Sequence, residues 1–317
     1  MNTFRTLFQI PIADFDISHS DKVFMLGSCF STEIGEKMRN ANFDTTVNPG
    51  GIVFNPASMA RNLELYQSPK KWTPDRLIQR QELWLSWDHQ GHSHSMEKDE
   101  LVERLKAELT LANEKLKEAT VLILTLGTAF TYYEQKTGMV VNNCHRFPQS
   151  DFQKKMLEPS ACAQLLSDQI SDLLAVKPDL KIIITISPVR HTRDGMIENQ
   201  RSKASLILAV QQLQLLFPQI SYFPAYELLL DDLRDYRFYG QDMIHPNGVA
   251  VDYIWQHFRA TYFNLQTQNL SDQIDEFHRE FSHRPLQPDS KENQARLEIL
   301  RSKIAQFESE TGIQLNL

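Results

Sequence analysis

The sequence predicts an α/β protein built on an open, mainly parallel sheet with helices on both faces. Three observations point there. Short apolar runs at residues 23–26, 121–126 and 180–186 are continuous rather than alternating, as in strands buried on both faces. Helical stretches with apolar residues on one face follow them. Strand and helix then alternate along the chain instead of clustering by type.

Residues 4–12 read as an extended arm, because Ile10-Pro11-Ile12 opposes a helix. The first strand ends at Gly27-Ser28-Cys29. A helix follows at once, with Phe30, Ile34 and Met38 on one face. A short strand at 43–47 runs into Asn48-Pro49-Gly50-Gly51, whose paired glycines let the backbone approach a ligand. Pro56 opens a helix near 59–65, a first-turn position that suits proline. Residues 71–97 read as irregular and aromatic. A long amphipathic helix covers 98–119, and the strand at 121–126 ends in Gly127-Thr128. A hairpin at 132–142 turns near Thr137-Gly138. Then come a helix at 159–176, a strand at 180–186 ending in Ser187-Pro188-Val189-Arg190-His191, a helix at 201–217 and a last strand at 220–224. A helix at 248–262 follows a loop that holds Asp242 and His245.

Beyond Asn269 there is no strand signal. Leu297, Leu300, Ile304 and Phe307 form an apolar stripe on a charged helix, which either packs on the body, the favoured reading, or supports a homo-oligomer through the C-terminal helices. The expected division is a main domain at 1–268 and a helical C-terminal extension at 269–317.

The 317 residues, 41% hydrophobic and 23% charged, allow a large core. A net charge of −7 and the lack of a basic run argue against a nucleic-acid partner. Cys29, Cys144 and Cys162 lack metal-type spacing and cannot all pair, so they read as reduced thiols. The first residues lack the apolar core of a signal peptide, and no apolar run would span a bilayer. The expectation is a cytoplasmic protein with no membrane partner.

In an open α/β sheet, ligands bind outside the carboxyl ends of the strands. Ser28 falls there, beside a helix N-terminus whose unpaired N–H groups favour negative charge. That position suits a nucleophile and an oxyanion hole. It equally suits a helix cap, the commoner role of serine in this setting. Asp242 precedes His245 by three residues, so the carboxylate can orient the imidazole while the ring faces a serine from another strand.

Gly27-Ser28-Cys29-Phe30 resembles the name-giving motif of the GSCFA family, a branch of the SGNH/GDSL hydrolases. The resemblance continues through residues 48–56, Ser86-Trp87-Asp88-His89, residues 126–130, Asn143-Cys144-His145, residues 187–191 and Asp242-Met243-Ile244-His245-Pro246. It implies a flavodoxin-like three-layer α/β/α fold. It also implies Ser28 as nucleophile, His245 as general base and Asp242 as its orienting partner, with the backbone N–H groups of Ser28 and Gly51 holding the oxyanion. The superfamily usually places an Asn donor after the third main strand. Here the region reads Gly127-Thr128-Ala129, which leaves Thr128 or Asn55 to fill that role.

Rival readings stand beside these. Cys29 is an alternative nucleophile, though one residue on, its side chain should point into the core. His89, His92 and His94, with Asp88, have ligand types suited to zinc, but the polar stretch reads better as a loop, and neither metal nor cofactor is expected. His145, Arg190 and His191 read as substrate-binding groups or as a network holding loops, with Arg190 suited to a carboxylate or phosphate. Trp87 and His89 join the candidate substrate-binding set. Trp84, Trp87, Phe130 and Tyr132 form either an acyl or sugar platform or, more simply, core. The resulting expectation is a serine esterase that forms an acyl-enzyme and releases a small acyl group, such as acetyl, from a carbohydrate or small-molecule ester. An acyltransferase with the same triad and a catalytically weak ligand-binding protein are the alternatives.

Overall fold

A computed structural model describes residues 8–91, 93–282 and 290–315. In chain order, β1 (Lys22–Gly27) leads into α1 (Cys29–Asn40), β2 (Asp44–Val47) and α2 (Pro56–Gln67). A small hairpin, β3 (Leu77–Arg80) and β4 (Leu83–Ser86), precedes α3 (Lys98–Glu118) and β5 (Val121–Leu126). An antiparallel patch of β6 (Phe130–Glu134), β7 (Val140–Val141) and β8 (Phe152–Met156) comes before α4 (Pro159–Val176) and β9 (Lys181–Ile186). The chain closes with α5 (Met196–Leu216), β10 (Ile220–Phe223), the short turn α6 (Ala225–Glu227), α7 (Gly248–Tyr262), α8 (Leu265–Ser282) and α9 (Lys291–Thr311).

The main sheet has the order β10-β9-β5-β1-β2, and every pairing in it is parallel. Read by sequence among the five, this is the flavodoxin-like order 2-1-3-4-5, with its switch point between β1 and β5. The continuous apolar runs follow from that architecture. Phe24 and Leu26 of β1 face a core shared with α2, α3, α4 and α5, whereas Val23 and Met25 face one shared with α1 and α7. Both faces exclude water, so neither can be polar. The expected three-layer fold is therefore the one observed.

Three local features differ from expectation. The stretch at 71–97 contains the β3–β4 hairpin, paired from Leu77↔Ser86 to Arg80↔Leu83. Its tight turn places Gln81, not glycine, at φ 57°, so the usual turn residues gave no signal. The strand β8 joins β6 as an antiparallel edge although its sequence Phe-Gln-Lys-Lys-Met is mostly exposed. Helix α5 begins at Met196, ahead of the expected start at 201.

Residues 8–12 carry no helix or strand, and Phe8 and Ile10 pack on the second core; residues 4–7 of the expected arm lie outside the described residues. Helix α8 begins at Leu265 and runs through position 268. The α9 stripe turns inward: Leu300 and Phe307 are buried, and the Phe307 ring meets Phe277 of α8 edge-on at 5.4 Å. No helix among the described residues is long and apolar enough to cross a membrane.

Candidate active site

Strand β1 stops at Gly27, where a Cβ would stand 2.4 Å from the Thr125 carbonyl oxygen. Glycine lets β1 and β5 approach this closely at their carboxyl ends. Ser28 follows in extended backbone, immediately before α1, yet its side chain makes no capping bond. Its Oγ is buried and has no hydrogen-bond partner among the described residues. The whole residue is 0% exposed. A hydroxyl given neither to the helix nor to a neighbour is not a cap, and leaving such a group unpaired costs about 1–3 kcal/mol. Cys29, half-buried, packs against the core of the α1 face, and burial pushes its thiol up from the ordinary range. That keeps it protonated rather than activated.

The loop after β2 laces the two strand ends together. Asn48 accepts the Gly27 N–H on its side-chain oxygen at 2.8 Å, Val53 N–H donates to the Gly27 carbonyl at 2.9 Å, and the Phe54 carbonyl accepts the N–H groups of Gly127 and Thr128 at 2.8 and 2.9 Å. The expected oxyanion donors all have partners in this resting arrangement. Ser28 N–H donates to the Thr125 carbonyl at 3.1 Å, and Gly51 N–H to the Asn48 carbonyl at 2.8 Å. The Thr128 hydroxyl pairs with Ser202 Oγ at 2.9 Å and accepts the Phe130 N–H at 3.1 Å. Asn55 caps α2, accepting the Ser58 N–H at 2.9 Å and donating from Nδ2 to Ser58 Oγ at 3.1 Å.

Asp242 and His245 share the loop before α7. His245 Nδ1–H donates to Asp242 Oδ2 at 2.7 Å, while Asp242 Oδ1 accepts the N–H groups of Ile244 and His245 at 2.9 and 3.0 Å. These bonds, the imidazole's first, hold the carboxyl down to about 2. The loop is tied to the end of β9 through Arg190, whose N–H donates to the Ile244 carbonyl at 3.1 Å and whose guanidinium donates to the Met243 carbonyl at 3.0 Å. The guanidinium also lies over the rings of Tyr236 and Tyr239, at 5.5 and 5.1 Å.

His191, the next residue, is fixed by its N–H donating to Asn199 Oδ1 at 2.8 Å. Its ring meets Phe54 edge-on at 5.7 Å, and its Nε2 lies 3.1 Å from where a Cβ on Gly127 would stand. That Nε2 is buried and without a hydrogen-bond partner among the described residues. Burial first, then the charges of Lys203, His245 and Lys154, push its pKa down to about 3. Beneath it lies a residue that the sequence reading missed. Lys203 is fully buried and donates from Nζ to the carbonyls of Gly127 and Ser187, at 2.7 and 2.6 Å. Burial pushes it down to about 7. Its signal was a lysine in register with Leu206, Val210 and Leu213 on the buried face of α5.

Ser28, Gly51, Thr128, Arg190, His191 and the Asp242–His245 loop thus gather at the carboxyl edge of the sheet. Trp87, His89 and His145 lie in a side cluster. Trp87 packs with Val141 and Phe152, His145 Nε2 pairs with the Ser86 carbonyl at 2.7 Å, and His89 Nδ1 pairs with Ser86 Oγ at 2.9 Å. Beside them Arg76 grips Asp88 with two bonds, at 3.0 and 2.5 Å, and reaches the Val140 carbonyl at 2.7 Å. His89 also backs Gly50, so this cluster buttresses the loop at 50–52. Trp84, Phe130 and Tyr132 are half-buried, each with a lysine over its ring. His92 lies outside the described residues; among those described, no three His, Cys, Asp or Glu side chains converge as a metal set.

Fold and site define a flavodoxin-like α/β protein with a buried serine at the first strand–helix turn and an aspartate–histidine pair in the last loop. Residues 22–258 match the GSCFA family, and the chain belongs to that family. No curated protein matches the chain. Similar solved structures include an acetyl xylan esterase from the rumen bacterium Butyrivibrio proteoclasticus, with 12% identity over 84% of this chain and a TM-score of 0.41. The chain covers 66% of that esterase. A carbohydrate esterase family 3 protein from Talaromyces cellulolyticus has 8% identity over 81% of this chain and 99% of its own, with a TM-score of 0.35.

Proposed function

We propose that this chain is a serine hydrolase of ester bonds. The observation that carries the reading is an unengaged, buried serine hydroxyl at the β1–α1 turn, on the same sheet edge as an imidazole already held by a carboxylate. With Nδ1 given to Asp242, His245 has Nε2 left to take the Ser28 proton. Ser28 Oγ then bonds the ester carbonyl carbon, and the carbonyl electron pair moves onto oxygen. Collapse expels the alkoxide, which takes the proton from His245, and water releases the acyl group in a second, mirrored step. The resemblance of the motifs to SGNH/GDSL hydrolases supports a small acyl group, such as acetyl, on a carbohydrate or small-molecule ester. Acyl transfer to an acceptor other than water uses the same atoms.

A second reading, a ligand-binding protein on the same fold, is favoured by one observation: the N–H groups of Ser28 and Gly51 already donate within the protein. Hydrolysis of p-nitrophenyl acetate by the wild type, Ser28→Ala and Cys29→Ala separates the two. Loss in Ser28→Ala with retention in Cys29→Ala supports the esterase. Loss in Cys29→Ala alone moves the chemistry to the thiol. A wild type inert on short acyl chains and unlabelled by a fluorophosphonate favours the binding protein.

A further inference from the structure

An ester oxygen that becomes an alkoxide needs hydrogen-bond donors already aimed at it. In this protein the obvious donors are bonded elsewhere: Ser28 N–H, Gly51 N–H, the Thr128 hydroxyl and the Asn55 amide all have protein partners. Buried polar atoms are nearly always paired, so an exception asks for a ligand or a role. Ser28 Oγ and His191 Nε2 are such exceptions, and they lie just past the carboxyl ends of β1 and β9, the two strands that flank β5.

Their placement follows from the sheet. Gly27 pairs with Thr125, so the turn at 28–29 comes beside Gly127, one strand spacing of about 4.8 Å away. His191 Nε2 stands over Gly127, where any side chain would meet both the ring and the Phe54 carbonyl at 3.1 Å. The missing Cβ is what lets the imidazole reach this edge. Lys203 holds the Gly127 carbonyl from below, and Asn199 holds the His191 backbone.

We propose that His191 is a catalytic residue of this site: its Nε2–H donates to the scissile carbonyl oxygen as that oxygen takes on charge. The inference rests on Ser28 being the nucleophile. Burial and the charges of Lys203, His245 and Lys154 keep the ring neutral. A neutral imidazole with so low a basicity is a poor general base and a good donor, so it complements His245 rather than competing with it. The Ser28 proton still goes to His245. The new bond is Ser28 Oγ to the carbonyl carbon, and His191 keeps its proton throughout.

The test uses the full chain, p-nitrophenyl acetate as substrate and phenylboronic acid, which forms a tetrahedral anion on a serine, as the probe. His191→Ala is expected to lower kcat by about 10²–10³, the usual loss for one oxyanion donor, with KM within about threefold. Boronate affinity should fall in parallel with kcat/KM. His191→Gln, which keeps an N–H at the side-chain tip, should recover at least about tenfold and keep the wild-type pH profile, even if the alanine variant folds poorly. Three results would overturn the proposal: kcat unchanged in His191→Ala, boronate affinity unchanged while kcat falls, or His191→Gln no better than alanine. Wild-type hydrolysis that survives Ser28→Ala would instead remove the nucleophile reading, and this inference with it.

Discussion

Lys203 Nζ lies 2.7 Å from the Gly127 carbonyl oxygen, and the same ammonium reaches the Ser187 carbonyl at 2.6 Å. One buried amine thus ties the ends of β5 and β9 at the sheet edge that carries Ser28 and His191. The Tyr226 ring lies 5.4 Å from it, and the Glu227 carboxylate and Cys29 oppose the effect of burial through space, though no carboxylate among the described residues forms a direct ion pair with it. Burial lowers Lys203 from 10.5 to about 7, so between those values the unfolded chain binds the extra proton. The contribution of Lys203 to stability therefore rises with pH across that window and is lost as pH falls from 10.5 towards 7. Lys203→Met should remove this slope. Urea unfolding of both proteins at pH 7 and pH 9 should show the stability difference shifting in favour of the wild type at the higher pH. Ester hydrolysis by the variant should fall about tenfold or more, because misplaced catalytic groups are costly.

The Asp242–His245 pair makes a contrasting prediction because it is exposed, with side chains about half accessible. Asp242→Asn should leave the melting temperature nearly unchanged, as surface pairs contribute little. Activity should fall by up to about 10⁴, since an amide no longer fixes the tautomer that leaves Nε2 free to take a proton, as the proposed mechanism requires. The carboxyl is held to about 2, so no acid limb above pH 3 in kcat/KM should trace to Asp242. Such a limb that disappears in Asp242→Asn would contradict this.

His191 supplies a prediction about stability that is independent of catalysis. Its folded pKa is depressed from 6.5 to about 3, so the unfolded chain protonates first as pH falls. The contribution is fully present above 6.5 and is lost as pH drops from 6.5 towards 3. His191→Gln should flatten that part of the unfolding free-energy curve. Urea midpoints at pH 7, 5 and 4 check it.

Asp88, 1% exposed, accepts two bonds from Arg76 in the side cluster. Removing one partner of a buried pair typically costs about 3–5 kcal/mol, and Arg61, whose Nε lies 3.7 Å from Asp88 Oδ1, would still face the carboxylate and hold the loss to the lower end of that range. Arg76→Met should destabilise by that order in urea unfolding. It should also depress activity, because the next residues bind the loop beside Ser28: Gln90 N–H donates to the Gly50 carbonyl at 3.3 Å and its amide to the Ile52 carbonyl at 2.7 Å.

The parallel sheet was legible because β1, β5 and β9 are apolar on both faces, a pattern that surface strands do not share. Ser28 and the Asp242–His245 loop were legible because strand ends in such sheets gather function. The hairpin at Leu77–Ser86 and the strand at Phe152–Met156 were not, since half-exposed edge strands carry mixed residues and, at Gln81, an atypical turn. Local sequence could not say which donors near Ser28 already had partners. Thr128 and Asn55 look equally available in the chain, but Ser202 and Ser58 engage them in space. Trp87, His89 and His145 carry the polar and aromatic chemistry of a binding site, and in space they form one cluster around Ser86, behind the loop at 50–52.

The complete enclosure of Ser28 has a kinetic consequence. A hydroxyl with no accessible surface cannot meet a reagent by rigid encounter, so every reaction at it is multiplied by the fraction of time the edge stands open. Reaction rates with fluorophosphonates of rising size should then fall more steeply than their intrinsic reactivities. A substrate whose binding holds the edge open would gain rate simply by removing that factor, so selectivity would be set at entry as well as at the chemical step.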